Sequence, residues 1–265
     1  MSVISTLDQL IGAAKQRIQI VRTASMTGVA ANFQQLIAIA GDPGAGVLAG
    51  TSITTGVVPT DATAGCPVIK PFGASATGYL SRLEVGNTVA SRVAIYDMLW
   101  KGGAYPFNQT LATNTPTSYS SRVPNGTDYE TLEIWYEQVT AGTGTPNVAV
   151  TYNDEGGASS TTAVTAAPGT MIVGRMFQVP LVAGDKGVQG ITGVAATVAS
   201  AGTFNLLVLR KLGEVRINLA NQSVVQGPLE TGMPVVFEDS ALIMLVAADS
   251  TATGIPNAYI DIANG

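Results

Sequence analysis

The sequence predicts an all-β protein, a β-sandwich or jelly-roll-like domain preceded by an N-terminal helix and an extended arm. Two observations carry this reading. Short apolar runs with strand-like alternation are separated by clusters of Gly, Asn, Asp and Pro, the punctuation of a many-stranded sandwich. Thirty glycines and thirteen prolines fall between these runs without a collagen period, while 46% of the 265 residues are hydrophobic and only 12% charged. That composition is too apolar and too weakly charged for a disordered chain.

The most consistent stretch runs from Tyr119 to Leu212. In Thr131–Val139, Leu132, Ile134 and Tyr136 fall on one face and Glu133 and Glu137 on the other, the period of a half-solvated strand. Phe204–Leu209 is apolar on both faces past Asn205, as a strand covered from both sides requires. Val148–Tyr152, Met171–Phe177 and Val188–Val194 lie between, with turn tips at Asn153–Gly157 and Ala183–Gly187.

Residues 1–75 read as the helix and the arm or long loops, and residues 76–265 as the sandwich. Residues 5–22 carry the one helix, with Thr6 and Gln9 forming a capping box and Leu7, Leu10, Ile11, Ala14, Ile18 and Val21 at helical spacing. Such a helix plugs its own sandwich or docks on a neighbour. Phe33–Ala40 reads as a short strand, and Gly41–Gly65 is turn-rich. Tyr79–Val85 and Val89–Leu99 are paired strand candidates around Gly86-Asn87. Lys101–Pro124 reads as a loop that displays Tyr105, Phe107 and Tyr119. Glu214–Leu219, Val235–Phe237, Ala241–Ala248 and Ala258–Ile262 close the domain, for ten or eleven strands in all.

Net charge is −5, with no basic cluster, so no nucleic-acid partner is expected. The most apolar run, Ala241–Ala248, is too short to span a bilayer, and no membrane partner is expected. One cysteine excludes an internal disulfide, and residues 1–22 lack a secretory pattern, which fits synthesis in the cytoplasm. So few charges leave a wide sandwich surface poorly covered. A homo-oligomer, with a trimer as the working number, accounts for this, and a monomer solvated by Thr, Ser and Asn is the alternative.

Chemistry-bearing patterns are sparse. The absence of histidine removes the Ser-His and Cys-His pairs. No serine stands three residues before Lys15, Lys70, Lys101, Lys186 or Lys211. Cys66 reads as a small packed thiol. Gly44–Ala49 fits a dinucleotide-type glycine pattern, but Gly50, Gly56 and Pro59 follow where a helix is needed, so it reads as a turn. Glu133 and Glu137 stand about 13 Å apart on an extended strand, too far for a glycosidase pair on their own, with Asp128 or Asp154 as conceivable cross-strand partners. Asn153, Asp154 and Glu155 offer calcium-type oxygens without EF-hand spacing and read as a hairpin tip. No enzyme activity, catalytic residue, cofactor or metal is therefore expected.

Ser121–Tyr129, Leu132–Trp135, Gly174–Leu181 with Gly184-Asp185, and Ala201–Arg210 resemble a family of virion structural proteins of tailed bacteriophages. The similarity extends to Ser5–Leu10 and Ala247–Ser250. It implies a capsid decoration, or cement, protein on the outer head surface, whose partner is the major capsid protein, and it brings no catalytic residues. The other reading is a receptor- or glycan-binding module of the tail or fibre, with Tyr105, Phe107 and Tyr119 stacking on sugar rings.

Overall fold

The computed structural model describes residues 4–73, 77–107, 109–112, 117–144, 147–166, 171–197 and 201–265. Its elements are α1 (Leu7–Gly12), β1 (Ala14–Arg22), β2 (Phe33–Gln35), β3 (Gly41–Asp42), β4 (Ser52–Val57), β5 (Gly78–Asn87), β6 (Ser91–Pro106) and β7 (Gln109–Ala112). Then follow β8 (Leu132–Thr140), β9 (Asn147–Asp154), β10 (Ser159–Thr161), β11 (Thr165–Ala166), β12 (Met176–Val179), β13 (Val188–Thr197) and β14 (Thr203–Ile217). The chain closes with β15 (Gln222–Gln226), α2 (Pro228–Thr231), β16 (Val235–Val236), β17 (Leu242–Ala248) and β18 (Asn257–Asn264). The protein is all-β, and its strands form antiparallel sheets packed face to face.

A seven-stranded sheet runs β12-β8-β14-β6-β17-β2, with β4 added to β6. A six-stranded sheet runs β15-β5-β18-β1-β3, with β16 added to β5, and a five-stranded sheet runs β10-β9-β13-β7, with β11 added to β9. The long strands β6 and β14 pair along nearly their whole length and tie the assembly together.

Alternation along these two strands builds two cores on one face of the central sheet. On β14, Phe204, Leu206 and Val208 pack towards the five-stranded sheet, while Leu212, Val215 and Ile217 pack towards the six-stranded one. On β6, Leu99 and Trp100 belong to the first core and Val93 and Ile95 to the second. Arg210 and Asp97 fall between the two sets in sequence. The opposite face of the sheet carries a third core, in which Tyr96, Met98, Trp135, Leu207 and Leu209 meet Ile37, Leu48 and Cys66 from the arm.

Several expectations need correction. The helix covers only Leu7–Gly12, and residues 14–22 form a strand paired with β18 from Ala14↔Asn264 to Val21↔Asn257. Ile18 fits both periods, but Ile20 fits only the two-residue one and is fully buried. Pairing across the sheet overrides the helical stripe. The Phe33–Ala40 strand is confined to Phe33–Gln35, and Met171–Phe177 yields a strand only from Met176. The hairpin around Gly86-Asn87 does not form, because β5 joins the six-stranded sheet and β6 the central one. Eighteen strands occur among the described residues, more than the ten or eleven expected.

The Lys101–Pro124 loop is largely structured. Strand β6 continues to Pro106, β7 follows, and short 3-10 turns cover Ser120–Arg122 and Pro124–Gly126. Residues 108 and 113–116 of that stretch, and 1–3 and 74–75 of the arm, lie outside the described residues. Within the arm, the buried Arg22 guanidinium donates to the carbonyls of Ile39 (3.0 Å), Pro43 (2.9 Å) and Gly65 (3.1 Å), which binds the turn-rich segment to β1.

Candidate functional site

The aromatic side chains expected at the surface are core residues. Tyr105, Phe107 and Tyr119 are all buried; Phe107 stacks on Phe204 at 5.1 Å, and the Tyr119 hydroxyl donates to the Val188 carbonyl at 2.6 Å. All three pack into the core between the central and five-stranded sheets, so sugar stacking through them is overturned. The hairpin tip at Asn153–Gly157 stands as expected, between β9 and β10. Its acidic oxygens are engaged in holding backbone: Asp154 Oδ1 accepts from the amides of Gly156 and Ala158, and Glu155 Oε2 from those of Lys186 and Gly187. Among the described residues no group of three or more metal-type ligands gathers.

Glu133 and Glu137 do not share a solvated face. Glu133 accepts from Trp135 Nε1 (2.6 Å) and from the Tyr96 hydroxyl (3.1 Å), which makes it the polar anchor of an aromatic group. Glu137 is fully buried, because the arm segment around Leu48 covers this side of the sheet. Cys66 is buried in the same core, and burial pushes its thiol up to about 12, so it is a packed side chain and not a poised nucleophile.

Two buried polar clusters remain, neither predicted from the sequence. In the first, the Asp97 carboxylate receives Arg122 Nη1 (3.3 Å), Arg210 Nη2 (3.3 Å), the Ser240 hydroxyl (2.8 Å) and the Ala241 amide (3.0 Å). Arg122 also donates to the carbonyls of Asp239, Met98 and Leu99. This cluster sits where the two cores of the central sheet meet. With its polar groups bonded from several elements, it reads as structural.

The second cluster joins three neighbouring strands. Lys101 on β6, Asn205 on β14 and Glu137 on β8 are all buried, Lys101 retaining only 6% exposure. Asn205 Nδ2 donates to Glu137 Oε2 at 2.6 Å and to the Leu48 carbonyl at 2.7 Å, while its Oδ1 accepts the Gly50 amide at 2.9 Å. Lys101 Nζ lies 3.8 Å from the same Glu137 oxygen and donates to the Val47 carbonyl at 3.3 Å. Burial raises the Glu137 carboxyl above its ordinary range, with Lys101 and Asn205 offsetting part of the effect. The glycine-rich turn at 44–50 thus serves as the cover of a polar pocket.

The surface offers a different kind of site. Helix α1 is capped at both ends: Thr6 Oγ1 accepts the Gln9 amide, Gln9 Oε1 accepts the Thr6 amide, and Lys15 Nζ donates to the last carbonyls at Leu10, Ile11 and Ala13. Leu10 packs inward, whereas Leu7 and Ile11, one helical turn apart, each remain 68% exposed. A cleft of about 370 Å³ opens beside them, lined by Ile4, Gln9, Ala13 and Ala14 together with Asn264 and Gly265. A second apolar display lies at α2 and β15, where Leu229 is 95% exposed beside half-exposed Val225. A second cleft of about 370 Å³ runs over the outer face of the six-stranded sheet and is polar, with Glu84, Asn257 and Tyr259 in its walls.

No known family model and no curated protein matches the chain. Among solved structures, the chain is similar to the VP2 subviral particle of infectious bursal disease virus at 10% identity and a TM-score of 0.19, covering 95% of this chain and 80% of that one. The Gx strain of the same virus gives 8% identity and a TM-score of 0.21, covering 94% and 80%. Superposition at that level aligns length without architecture, and nothing about this chain follows from it.

Proposed function

We propose that this chain is a structural protein of a virion, and specifically that it decorates the outer head of a tailed phage by binding the major capsid protein as an oligomer. The observation that carries the reading is α1. An apolar Leu7–Ile11 pair is displayed to solvent on a helix capped at both ends, a surface suited to burial against a partner. The exposed Leu229 and Val225 add a second contact surface suited to a neighbouring copy. Resemblance in sequence to tailed-phage virion proteins supplies the choice of particle. A doubly covered central sheet makes a rigid body that acts through contact area.

The test is co-sedimentation of the purified chain with phage heads that lack it, comparing wild type with Leu7→Glu/Ile11→Glu. These positions are exposed, so the fold survives the change, and binding should fall at least ten-fold if each exposed side chain contributes as a typical buried anchor does. Full binding by the double variant would exclude α1 as the contact. Removing residues 1–22 is not an equivalent test, because it also deletes β1 from the six-stranded sheet.

The polar cleft favours a second reading as a glycan-binding module. The Tyr259 side chain is partly buried there, with Glu84 opposite it in register. Glycan-array binding lost in Tyr259→Ala would favour this reading, and no glycan bound by wild type would exclude it.

A further inference from the structure

We propose that Lys101 Nζ and the Asn205 side chain join in an intramolecular isopeptide bond, formed with Glu137 as the acid and base. The inference stands on the geometry of this cluster and does not depend on the virion reading.

An amine and a carboxamide are unreactive in water for three reasons. The amine is protonated, the amide carbon is a weak electrophile, and the amide nitrogen is a poor leaving group. The cluster answers each of these. Glu137 Oε2 lies 3.8 Å from Lys101 Nζ, placed to take the ammonium proton and leave a free amine. The Gly50 amide donates to Asn205 Oδ1 at 2.9 Å, where negative charge develops when Cγ is attacked. The same Glu137 oxygen lies 2.6 Å from Asn205 Nδ2, placed to return a proton to the departing nitrogen.

The step balances without a co-reactant. Lys101 passes one proton to the Glu137 carboxylate, and its neutral amine attacks Asn205 Cγ to form the Nζ–Cγ bond. The Cγ–Nδ2 bond breaks as Glu137 returns a proton to Nδ2, and Glu137 recovers one from the new amide nitrogen. A lysine ammonium, a carboxylate and a carboxamide become a secondary amide, a neutral carboxylic acid and one ammonia. No atom changes oxidation state.

Three further features fit a reacting cluster better than a static ion pair. Glu137 Oε1 is buried and has no hydrogen-bond partner among the described residues, which leaves it open to carry a proton during the transfer. Burial favours the neutral form of Glu137, which is the form the product leaves. The backbone closes on the amide through glycines: a Cβ on Gly103 would stand 2.1 Å from Asn205 Oδ1, and one on Gly50 3.0 Å. That approach, under the Val47–Gly50 segment, keeps out the water that would hydrolyse the amide instead. The bond would tie β6 to β14, the two strands shared by both cores, and so constrain the unfolded chain across a long loop.

The experiment is intact-mass spectrometry of the full chain as expressed, followed by proteolysis. Wild type should be lighter than its sequence by one ammonia, about 17 Da, and should yield one branched peptide joining the segments that hold Lys101 and Asn205. Lys101→Arg and Glu137→Gln should each restore the full mass and lose the branched peptide, with circular dichroism checking that they remain β-rich. If a variant fails to fold, wild type denatured on synthesis and then refolded serves instead, its mass falling only as structure forms. Wild type at full sequence mass after folding overturns the proposal. So does an ammonia loss that persists in Lys101→Arg, or one that comes without the branched peptide.

Discussion

Arg122 and Asp97 form an ion pair at 3.3 Å with both side chains fully buried, at the meeting point of the two cores. Two charges this deep persist only because the pair is also bonded by Arg210, Ser240 and four backbone groups. Replacing Arg122 by Met leaves Asp97 short of a partner, and the expected loss is about 3–5 kcal/mol, as for other broken buried pairs. Urea denaturation followed by circular dichroism measures it. A midpoint equal to that of wild type would mean the pair does not hold the two cores in place.

Asp261 sets part of the acid limit of stability. Arg17 forks onto it at 2.7 and 2.9 Å, and this hydrogen bonding, ahead of the opposing effect of burial, holds its carboxyl below the usual carboxylate range. A folded-state value below the unfolded one gives stability that is present above the unfolded value, about 3.9. It is lost as pH falls through the lower folded value. Asp261→Asn should therefore be slightly less stable than wild type at neutral pH and converge with it in acid. Denaturation midpoints measured from pH 7 down to pH 2 give the comparison, and a constant gap across that range would contradict it.

Cys66 should be inert in the folded protein. Burial pushes its thiol up to about 12, and reaction with a thiol reagent at neutral pH should be on the order of 100-fold slower than in the denatured chain. Equal rates would place the side chain at the surface.

Gly56 is constrained twice, by a φ of 65° and by Trp100, whose indole ring would lie 2.2 Å from an added Cβ. Gly56→Ala should cost about 1–3 kcal/mol and shift the thermal midpoint down. Because the Trp100 Nε1 also donates to the Thr55 carbonyl at 3.0 Å, the variant should change tryptophan emission as well. An unchanged spectrum and midpoint would show that β4 can move off Trp100.

Fold class was legible because the alternation of apolar residues and the spacing of turn residues are local signals. The β8 alternation of Leu132, Ile134 and Tyr136 and the two-sided β14 run are found where that pattern puts them. What was not legible depends on partners far apart in the chain. Residues 14–22 satisfy a helical stripe and a strand alternation together, and only β18, more than two hundred residues on, decides between them. The tyrosines of the 101–124 stretch sit among turn residues, so nothing local marks them as core. Lys101, Glu137 and Asn205 are separated by tens of residues and become a cluster only once β6, β8 and β14 lie side by side. The glutamate alternation of β8 misled for the same reason, since the cover over that face comes from the arm.

The most direct test of the proposed virion role is whether the chain is present in tailed-phage particles purified from a lysate that contains it, and where on the particle it lies. Immunogold labelling with an antibody to this protein should decorate the head surface in many copies. Label confined to the tail tip would support the glycan-binding reading, and a chain absent from the purified particle would contradict the account as a whole.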